Sequence, residues 1–127
     1  ASRFLIIAKK YNKNFFMRLS ADSPLISPKI IDRAIKIHKK NKKYDLVSNI
    51  FPRTFPKGQS VEIIKTSILE NNIKKMNQYD REHVTAFFYK NFTNFFIKNF
   101  TFRGLKSNIK LSVDTKVDLK KIIKKIR

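Results

Sequence analysis

Apolar residues recur along this chain with two periods, one typical of helices and one typical of buried strands. Short apolar runs rich in strand-forming residues predict strands over 14–20, 44–50, 61–64, 95–102 and 109–113. Helical spacing predicts helices over 2–11, 28–41, 67–75 and 81–91, and a last helix that follows Thr115. Because strands alternate with helices, the pattern predicts an α/β fold with a mostly parallel sheet.

Several helix starts carry their own sequence signals. Ser27 and Pro28 are residue types that favour the N-cap and the first helical position. Ser67 and Glu70 have the spacing of a capping box, and Asp80 is the predicted N-cap of helix 81–91. The first helix is predicted from the helical spacing of Phe4, Ile7, Ala8 and Tyr11.

Length and composition bound the class of protein. A chain of 127 residues with 42% hydrophobic residues predicts one domain with its own core. The chain has no cysteine, which excludes disulfides and thiolate metal sites. It has neither an apolar run long enough to cross a membrane nor the pattern of a signal peptide. We therefore expect a cytoplasmic protein without a membrane partner. Since residue 1 is not Met, we also expect that the chain does not begin where its gene begins.

The net charge of +20 raises the alternative of a basic module that binds nucleic acid or another polyanion. Two observations argue against it. Enrichment in Lys, Asn, Ile and Phe is the bias expected from A+T-rich codons, and the lysines of the last helix surround an apolar stripe as a solvated face does. That stripe consists of Leu119, Ile122, Ile123 and Ile126.

Two carboxylates follow predicted strands. Asp22 lies in the turn after strand 14–20, and Asp114 comes directly after the run 109–113. Ligands of open α/β sheets bind beyond the carboxyl ends of strands, so the pair is a candidate metal site. The alternative is that each aspartate only caps its own turn.

A glycine-rich phosphate loop is missing from these residues. The two glycines, Gly58 and Gly104, do not follow a strand in a phosphate-binding pattern. If the protein uses a nucleotide, part of the nucleotide site lies outside this sequence.

Four motifs in order resemble one family. They are Arg18-Leu19-Ser20-Ala21-Asp22-Ser23-Pro24-Leu25-Ile26, then Val47-Ser48-Asn49 with Arg53-Thr54-Phe55-Pro56-x-Gly58-x-x-Val61-Glu62, then Asp80-Arg81-Glu82-His83-Val84-Thr85, then Ser112-Val113-Asp114-x-x-x-Asp118-Leu119. In order and spacing they resemble the cytidylyltransferases that make CMP-activated sugars. The most similar type is the spore-coat-polysaccharide branch, related to acylneuraminate and 3-deoxy-manno-octulosonate cytidylyltransferases.

The resemblance implies a Rossmann-like, three-layer nucleotidyltransferase fold of the nucleotide-diphospho-sugar transferase type. Domains of this family are about twice as long as this chain. Residues 1–127 therefore look like a single partial domain, the C-terminal half, which lacks the N-terminal loop that binds CTP. The implied reaction transfers CMP from CTP to an acidic or amino sugar with Mg²⁺, and related enzymes commonly form homodimers through this half.

The resemblance also implies roles for individual residues. Asp22 and Asp114 match the metal ligands of the family. Arg18, Glu62, Arg81 and His83 become candidate substrate-binding residues. Salt bridges within the chain are the alternative for Arg81, and a surface position is the alternative for His83.

Two further groups of residues have structural interpretations. Asp118 is predicted to be the N3 carboxylate that faces Thr115 at the start of the last helix. The phenylalanines at 87, 88, 92, 95, 96, 100 and 102 are predicted to be core, with a dimer interface as the alternative for some. For the whole chain, an inactive truncated remnant is the third hypothesis beside the enzyme and the polyanion-binding module.

Overall fold

The computed structural model describes residues 1–104 and 109–126, which form a mixed α/β fold. The strands are β1 (Phe15–Arg18), β2 (Leu46–Ser48), β3 (Glu62–Lys65) and β4 (Ile97–Asn99). The helices are α1 (Ser2–Lys10), α2 (Pro28–Lys40), α3 (Thr66–Asn72), α4 (Gln78–Glu82), α5 (Ala86–Lys90) and α6 (Lys116–Ile126). Single 3₁₀ turns span Ile73–Lys75 and Phe92–Asn94.

The four strands form one sheet in the order β1-β3-β2-β4, and the sheet is mixed. Strand β3 runs antiparallel to both β1 and β2, and only β2 and β4 are parallel. The prediction of a mostly parallel sheet is therefore wrong for the described strands. The reason lies in the connections: a parallel pair needs a crossover such as α3–α5, whereas β3 follows β2 through a loop without a helix.

Helices cover both faces of the sheet and create two cores, so the described fold has three layers. On one face, Leu46 and Ile64 of the sheet pack with Leu69 of α3 and Phe88 of α5, all of them buried. On the other face, α2 packs on the strands, and its Ala34 is fully buried in that second core.

The first predicted helix is confirmed as α1, and only part of its apolar spacing faces the sheet. Ala8 is buried, and the ring of Phe4 stacks on Phe16 of β1 with a centroid distance of 5.5 Å. Ile7 and Tyr11 are 57% and 62% exposed. The stack on Phe16 fixes the rotation of the helix and turns Ile7 and Tyr11 away from the sheet.

The predicted capping residues of α3 and α4 are also corrected. Helix α3 begins at Thr66, whose hydroxyl donates to the Lys13 carbonyl at 2.7 Å, so the box of Ser67 and Glu70 is not used. Asn77, not Asp80, caps α4: its side chain accepts a hydrogen bond from the Asp80 amide at 2.8 Å.

The predicted helix 81–91 is two short helices. Helix α4 ends at Glu82 and α5 begins at Ala86. His83 therefore lies at the C-cap of α4, not in the first turn of a helix as the sequence predicted. Helix α2 begins as expected, with Ser27 at the N-cap and Pro28 in the first turn, although the Ser27 side chain makes no capping bond.

The aromatic run divides into buried and exposed rings. Phe88 and Phe100 are buried, and Phe87 and Phe95 are partly buried against the α5 core. The prediction that all seven are core is wrong for three of them, which are about half exposed: Phe92, Phe96 and Phe102. The alternative that some belong to a dimer interface stays a prediction.

Segment 109–113 is not a strand, since it makes one isolated bridge, between Lys110 and Lys57. The helix predicted after Thr115 is confirmed as α6. Of its predicted stripe only Ile122 is buried. Among residues 1–104 and 109–126, no helix is both long and apolar enough to cross a membrane.

Candidate active site

A row of polar residues crosses the sheet at its carboxyl edge. Arg18, Ser48 and Asn99 are the last residues of β1, β2 and β4, and Glu62 is the first residue of the antiparallel β3. The strand register pairs Arg18 with Glu62, Glu62 with Ser48, and Ser48 with Asn99. The next row on the same face, two residues further from this edge in each strand, is apolar. It consists of Phe16, Ile64, Leu46 and Ile97. The face therefore changes from core to polar at the edge where α/β proteins bind ligands.

Two loops beyond this edge are tied together by one side chain. We call residues 19–27 the Asp22 loop and residues 49–61 the proline loop. The Gln59 side chain accepts a hydrogen bond from the Ser27 amide at 2.9 Å and donates one to the Leu25 carbonyl at 2.8 Å. Gln59 is buried, so the proline loop holds the Asp22 loop from inside the protein.

A third segment, residues 109–114, lies against both loops, and we call it the Asp114 segment. The Leu111 amide donates to the Lys57 carbonyl at 2.8 Å, and the Val113 amide donates to the Asp22 carbonyl at 2.7 Å. Gly58 permits this approach because its φ is +90° and a Cβ there would lie 2.4 Å from the carbonyl carbon of Leu111. The two aspartate-bearing segments are therefore side by side, although Asp114 does not end a strand.

The two carboxylates have different partners. Asp22 is exposed, and its Oδ1 accepts a hydrogen bond from the Ser23 hydroxyl at 3.1 Å. Asp114 Oδ2 lies 2.6 Å from Lys110 Nζ, which also lies 2.7 Å from Asp118 Oδ2. The hydrogen bonds to Asp114 and then to Asp118 raise the pKa of Lys110. Among the described residues, Lys110 thus neutralises Asp114.

The donor set fits a magnesium ion that a phosphate helps to hold. Mg²⁺ binds through one or two carboxylates plus phosphate oxygens and keeps several waters. Asp22 and Asp114 offer two carboxylates from adjacent segments, and both side chains are exposed. In the part of the chain that the structure describes, no three acidic or histidine side chains cluster as a metal site. Asp22 and Asp114 by themselves would therefore leave coordination positions of such an ion to water and phosphate oxygens.

Asp118 has the structural role that the sequence predicted. Its Oδ2 accepts hydrogen bonds from the Thr115 amide at 3.0 Å and hydroxyl at 2.9 Å, and from the Asp114 amide at 3.1 Å. The Thr115 hydroxyl in turn accepts from the Asp118 amide at 3.2 Å, which completes a capping box. This box fixes the backbone of Asp114 at the start of α6.

The capping box should open in acid. The hydrogen bond from Lys110 and those from Thr115 and the Asp114 amide lower the pKa of Asp118 from 3.8 to about 2. Because the folded pKa is depressed, the contribution is fully present above 3.8 and is lost as pH falls through about 2. We expect the protection factors of the Asp114 and Thr115 amides, measured by NMR hydrogen exchange relative to the intrinsic rate at each pH, to fall in that window. Asp118→Asn should show the faster exchange already at pH 6, whereas Asp32→Asn on α2 should not; equal exchange in both variants would contradict the assignment.

Glu62 and Arg18, both predicted to bind substrate, bind each other. Arg18 Nη1 donates to Glu62 Oε2 at 2.7 Å, and the Glu62 side chain is fully buried. Glu62 Oε1 accepts a hydrogen bond from the Tyr89 hydroxyl at 2.6 Å. Glu62 thus has partners on both oxygens, while the Arg18 side chain keeps 23% of its surface exposed.

Arg81 and His83 lie on the surface of the α4 region. Arg81 lines an open cavity of about 650 Å³ together with Arg3 and Val84. No contact between the described residues joins Arg81 or His83 to Asp22 or Asp114.

The ring of His83 packs on an exposed tyrosine that also carries a cation. Its centroid lies 4.3 Å from that of Tyr79, and Lys90 Nζ lies 4.9 Å from the Tyr79 centroid. Lys90 is held there by Asp80, whose buried carboxylate it contacts at 2.8 Å. Asp80 therefore holds Lys90 against Tyr79, the residue on which His83 packs.

Sequence reasoning missed the polar residues that hold the site together. Tyr89 and Gln59 received no role from the sequence, and Ser48 was named only as part of the motif Val47-Ser48-Asn49. The available signal was Glu62, a carboxylate in an otherwise apolar strand, because a buried charge needs partners from neighbouring elements. Asn49 is the other missed residue: its buried side chain donates to the Gln59 carbonyl and accepts from the Val61 amide.

Comparison with known proteins gives three consistent matches. The chain matches the family model described as cytidylyltransferase over residues 1–125. It is 33% identical over 90 residues to an uncharacterized protein of Methanocaldococcus jannaschii, across 70% of this chain and 35% of that protein. It is 32% identical to a cytidylyltransferase of known structure from Leptospira borgpetersenii, with a TM-score of 0.87 over 93% of this chain and 50% of that chain. The chain thus spans half the length or less of these two proteins, and it belongs to the cytidylyltransferase family.

Proposed function

We propose that the complete protein containing this chain transfers CMP from CTP to a hydroxyl group of a sugar. The sugar oxygen attacks the α-phosphorus, the bond from that phosphorus to the bridging oxygen breaks, and pyrophosphate leaves. The hydroxyl proton passes to solvent or to a base outside the described contacts. Catalysis of this kind depends on positioning and on neutralising phosphate charge.

The observation that carries the proposal is the hydrogen bond from the Val113 amide to the Asp22 carbonyl. Through it, two exposed carboxylates from distant parts of the sequence belong to adjacent segments beyond the carboxyl edge of the sheet. The membership of the cytidylyltransferase family supports a nucleotide as the ligand of this edge.

Asp22 and Asp114 are the residues we propose as ligands of Mg²⁺. When bound, the ion would supply positive charge against the phosphate oxygens of CTP. Asp22 would do so directly, because its carboxylate has no cationic partner among the described residues. Asp114 would exchange its ion pair with Lys110 for the metal, leaving Lys110 on Asp118.

For the acceptor we propose an acidic or amino sugar, as in the spore-coat-polysaccharide branch. Arg81 is exposed and carries a guanidinium suited to bidentate binding of a carboxylate or phosphate. His83, beside Tyr79, offers an aromatic surface and a hydrogen-bonding edge. We propose a homodimer as the working form, with the exposed Phe92 and Phe96 as candidate contact residues.

The division of labour within the Rossmann-like domain is also a proposal. Residues 1–127 would be one partial domain that supplies the metal-side and sugar-side groups. With only two glycines and no phosphate-binding loop, they would rely on residues outside this chain to hold the triphosphate.

Pyrophosphate release by the complete protein tests the proposed activity. We expect release that requires CTP, Mg²⁺ and a sugar acid or amino sugar together, and that ATP, GTP and UTP do not support. Omission of each component in turn provides the controls. Release that is independent of the sugar, or equal with all four nucleotides, would contradict the proposal.

A further inference from the structure

Tyr89 of α5 reaches the polar row from the helix layer above it. Its hydroxyl lies 2.6 Å from Glu62 Oε1 and 2.7 Å from Ser48 Oγ. Burial, and then the charge of Glu62, raise the pKa of Tyr89, so the group is a neutral phenol at physiological pH. The ring of Phe51 stacks on the Tyr89 ring, with 4.8 Å between the ring centroids, and holds it in place.

The hydrogens in this network have one consistent arrangement. A carboxylate only accepts, so the single Tyr89 hydrogen points to Glu62. Ser48 must then donate its hydrogen to the Tyr89 oxygen. The Ser48 oxygen accepts in turn from the Ile50 amide at 3.2 Å. A directed chain of hydrogen bonds therefore runs from the start of the proline loop to Glu62.

Arg18 completes the network at the exposed end. It is the last residue of β1, four positions before Asp22, and it contacts the other oxygen of Glu62. A guanidinium has five N–H donors in a planar fork. Among the residues that the structure describes, the Arg18 side chain donates one hydrogen bond, to Glu62, so donors remain for a ligand at the carboxyl edge.

We infer that Tyr89 is a positioning residue, which with Ser48 orients Glu62 so that Arg18 presents its guanidinium to an oxyanion beside the Asp22 loop. This oxyanion is a phosphate of CTP or the acidic group of the sugar, and that identification rests on the proposed function. Without the Tyr89 hydroxyl, Glu62 Oε1 is buried without its donor, and the carboxylate no longer has one fixed orientation. The guanidinium then moves with it.

The test uses Tyr89→Phe, Arg18→Lys and the double variant in the complete protein, titrated calorimetrically with Mg·CTP and separately with glucuronate as a sugar acid. Each single variant should weaken binding of one probe about tenfold. The probe that is affected identifies the source of the oxyanion. The double variant should be no weaker than Arg18→Lys, because both changes act through one guanidinium. Tyr11→Phe, at the exposed tyrosine that is the C-cap of α1, is the matched control.

Two results would overturn the inference: unchanged affinity of Tyr89→Phe for both probes, or additive effects in the double variant. If Tyr89→Phe does not fold, Glu62→Gln replaces it in the same cycle, because the isosteric amide removes the charge that holds Arg18.

A second readout keeps the inference separate from the proposed function. If the unsubstituted protein binds neither probe, the proposed function is wrong, and the ¹⁵N signals of the Arg18 guanidinium decide the positioning role. A held guanidinium gives separate Nη signals, which should merge in Tyr89→Phe. Identical spectra of the two proteins would contradict positioning by Tyr89.

Discussion

Replacing Asp22 with Asn in the complete protein is expected to lower CTP-dependent turnover by about 100-fold or more, the range for removing a metal-binding charge at a phosphoryl-transfer site. The amide keeps the shape of the side chain and its hydrogen bond with Ser23, but it removes the charge. Because Asp22 is exposed, the free energy of unfolding should change by less than about 0.5 kcal/mol. Raising the Mg²⁺ concentration should restore part of the turnover. Steady-state pyrophosphate release, measured across a Mg²⁺ titration, checks both expectations.

Asp114→Asn should behave in the same way, while Asp32→Asn serves as the control. Asp32 is an exposed aspartate of α2, away from the three segments of the site. Wild-type turnover and an unchanged Mg²⁺ dependence in Asp22→Asn would show that this carboxylate only shapes its turn. In that case the proposed metal site would be wrong, whatever the protein does with CTP.

Gly58→Ala should separate the Asp114 segment from the proline loop. A Cβ at residue 58 would meet three backbone atoms of Leu111 and Ser112 at 2.4 to 2.7 Å, and φ there is +90°. Backbone cannot rotate away as a side chain can, so the segment must move or the loop must strain. We expect the free energy of unfolding to fall by about 2–3 kcal/mol in urea titrations. Amide exchange at Leu111 and Val113 should accelerate more than exchange in β3.

Gly104→Ala is the matched control for this substitution. Among the described residues, the three atoms nearest to a Cβ at residue 104 would all belong to the ring of Phe102, a half-exposed side chain that can turn aside. Its effect on stability should therefore be clearly smaller. Equal effects of the two variants, or unchanged exchange at Leu111 in Gly58→Ala, would show that the close approach does not hold the segment.

The elements of the fold could be predicted wherever a local pattern decides them. The four strands of the sheet and helices α1, α2, α3 and α6 lie within predicted segments or within a few residues of them, because hydrophobic spacing reports burial directly. The break at His83 was missed because the residue pattern over α4 and α5 fits the spacing of one continuous helix. The cap at Asn77 was missed because Asp80, three positions on, is an equally good capping type.

Strand direction could not be predicted because the apolar runs carry no information about it. Strand β3 follows β2 after a loop without a helix, which favours an antiparallel pair, but its residues are buried on both faces, as is typical of a parallel sheet. The antiparallel placement depends on contacts between distant elements, including the pairing of Glu62 with both Arg18 and Ser48.

The carboxylates of the candidate site could be predicted from the sequence, but the residues that hold the site in place could not. Asp22 and Asp114 stood out as lone carboxylates after apolar runs, and the structure brings their segments together. Tyr89 did not stand out, since it is one aromatic residue in a stretch that contains many. Only the three-dimensional arrangement shows that this atom lies on the buried Glu62.

The ion pair between the buried Glu62 and the partly exposed Arg18 also limits which strand alignments the chain can adopt. A shift of β3 by one residue would turn Glu62 toward the α2 core, where Ala34 and Ile63 now pack, and would bring no cation with it. Leaving a buried carboxylate without its partner costs about 3–5 kcal/mol, a large part of the stability of a small domain. Apolar neighbours such as Ile63 and Ile64 would tolerate that shift, since either fills a core. The one buried charge of β3 thus makes the misaligned sheet a poor competitor to the native one.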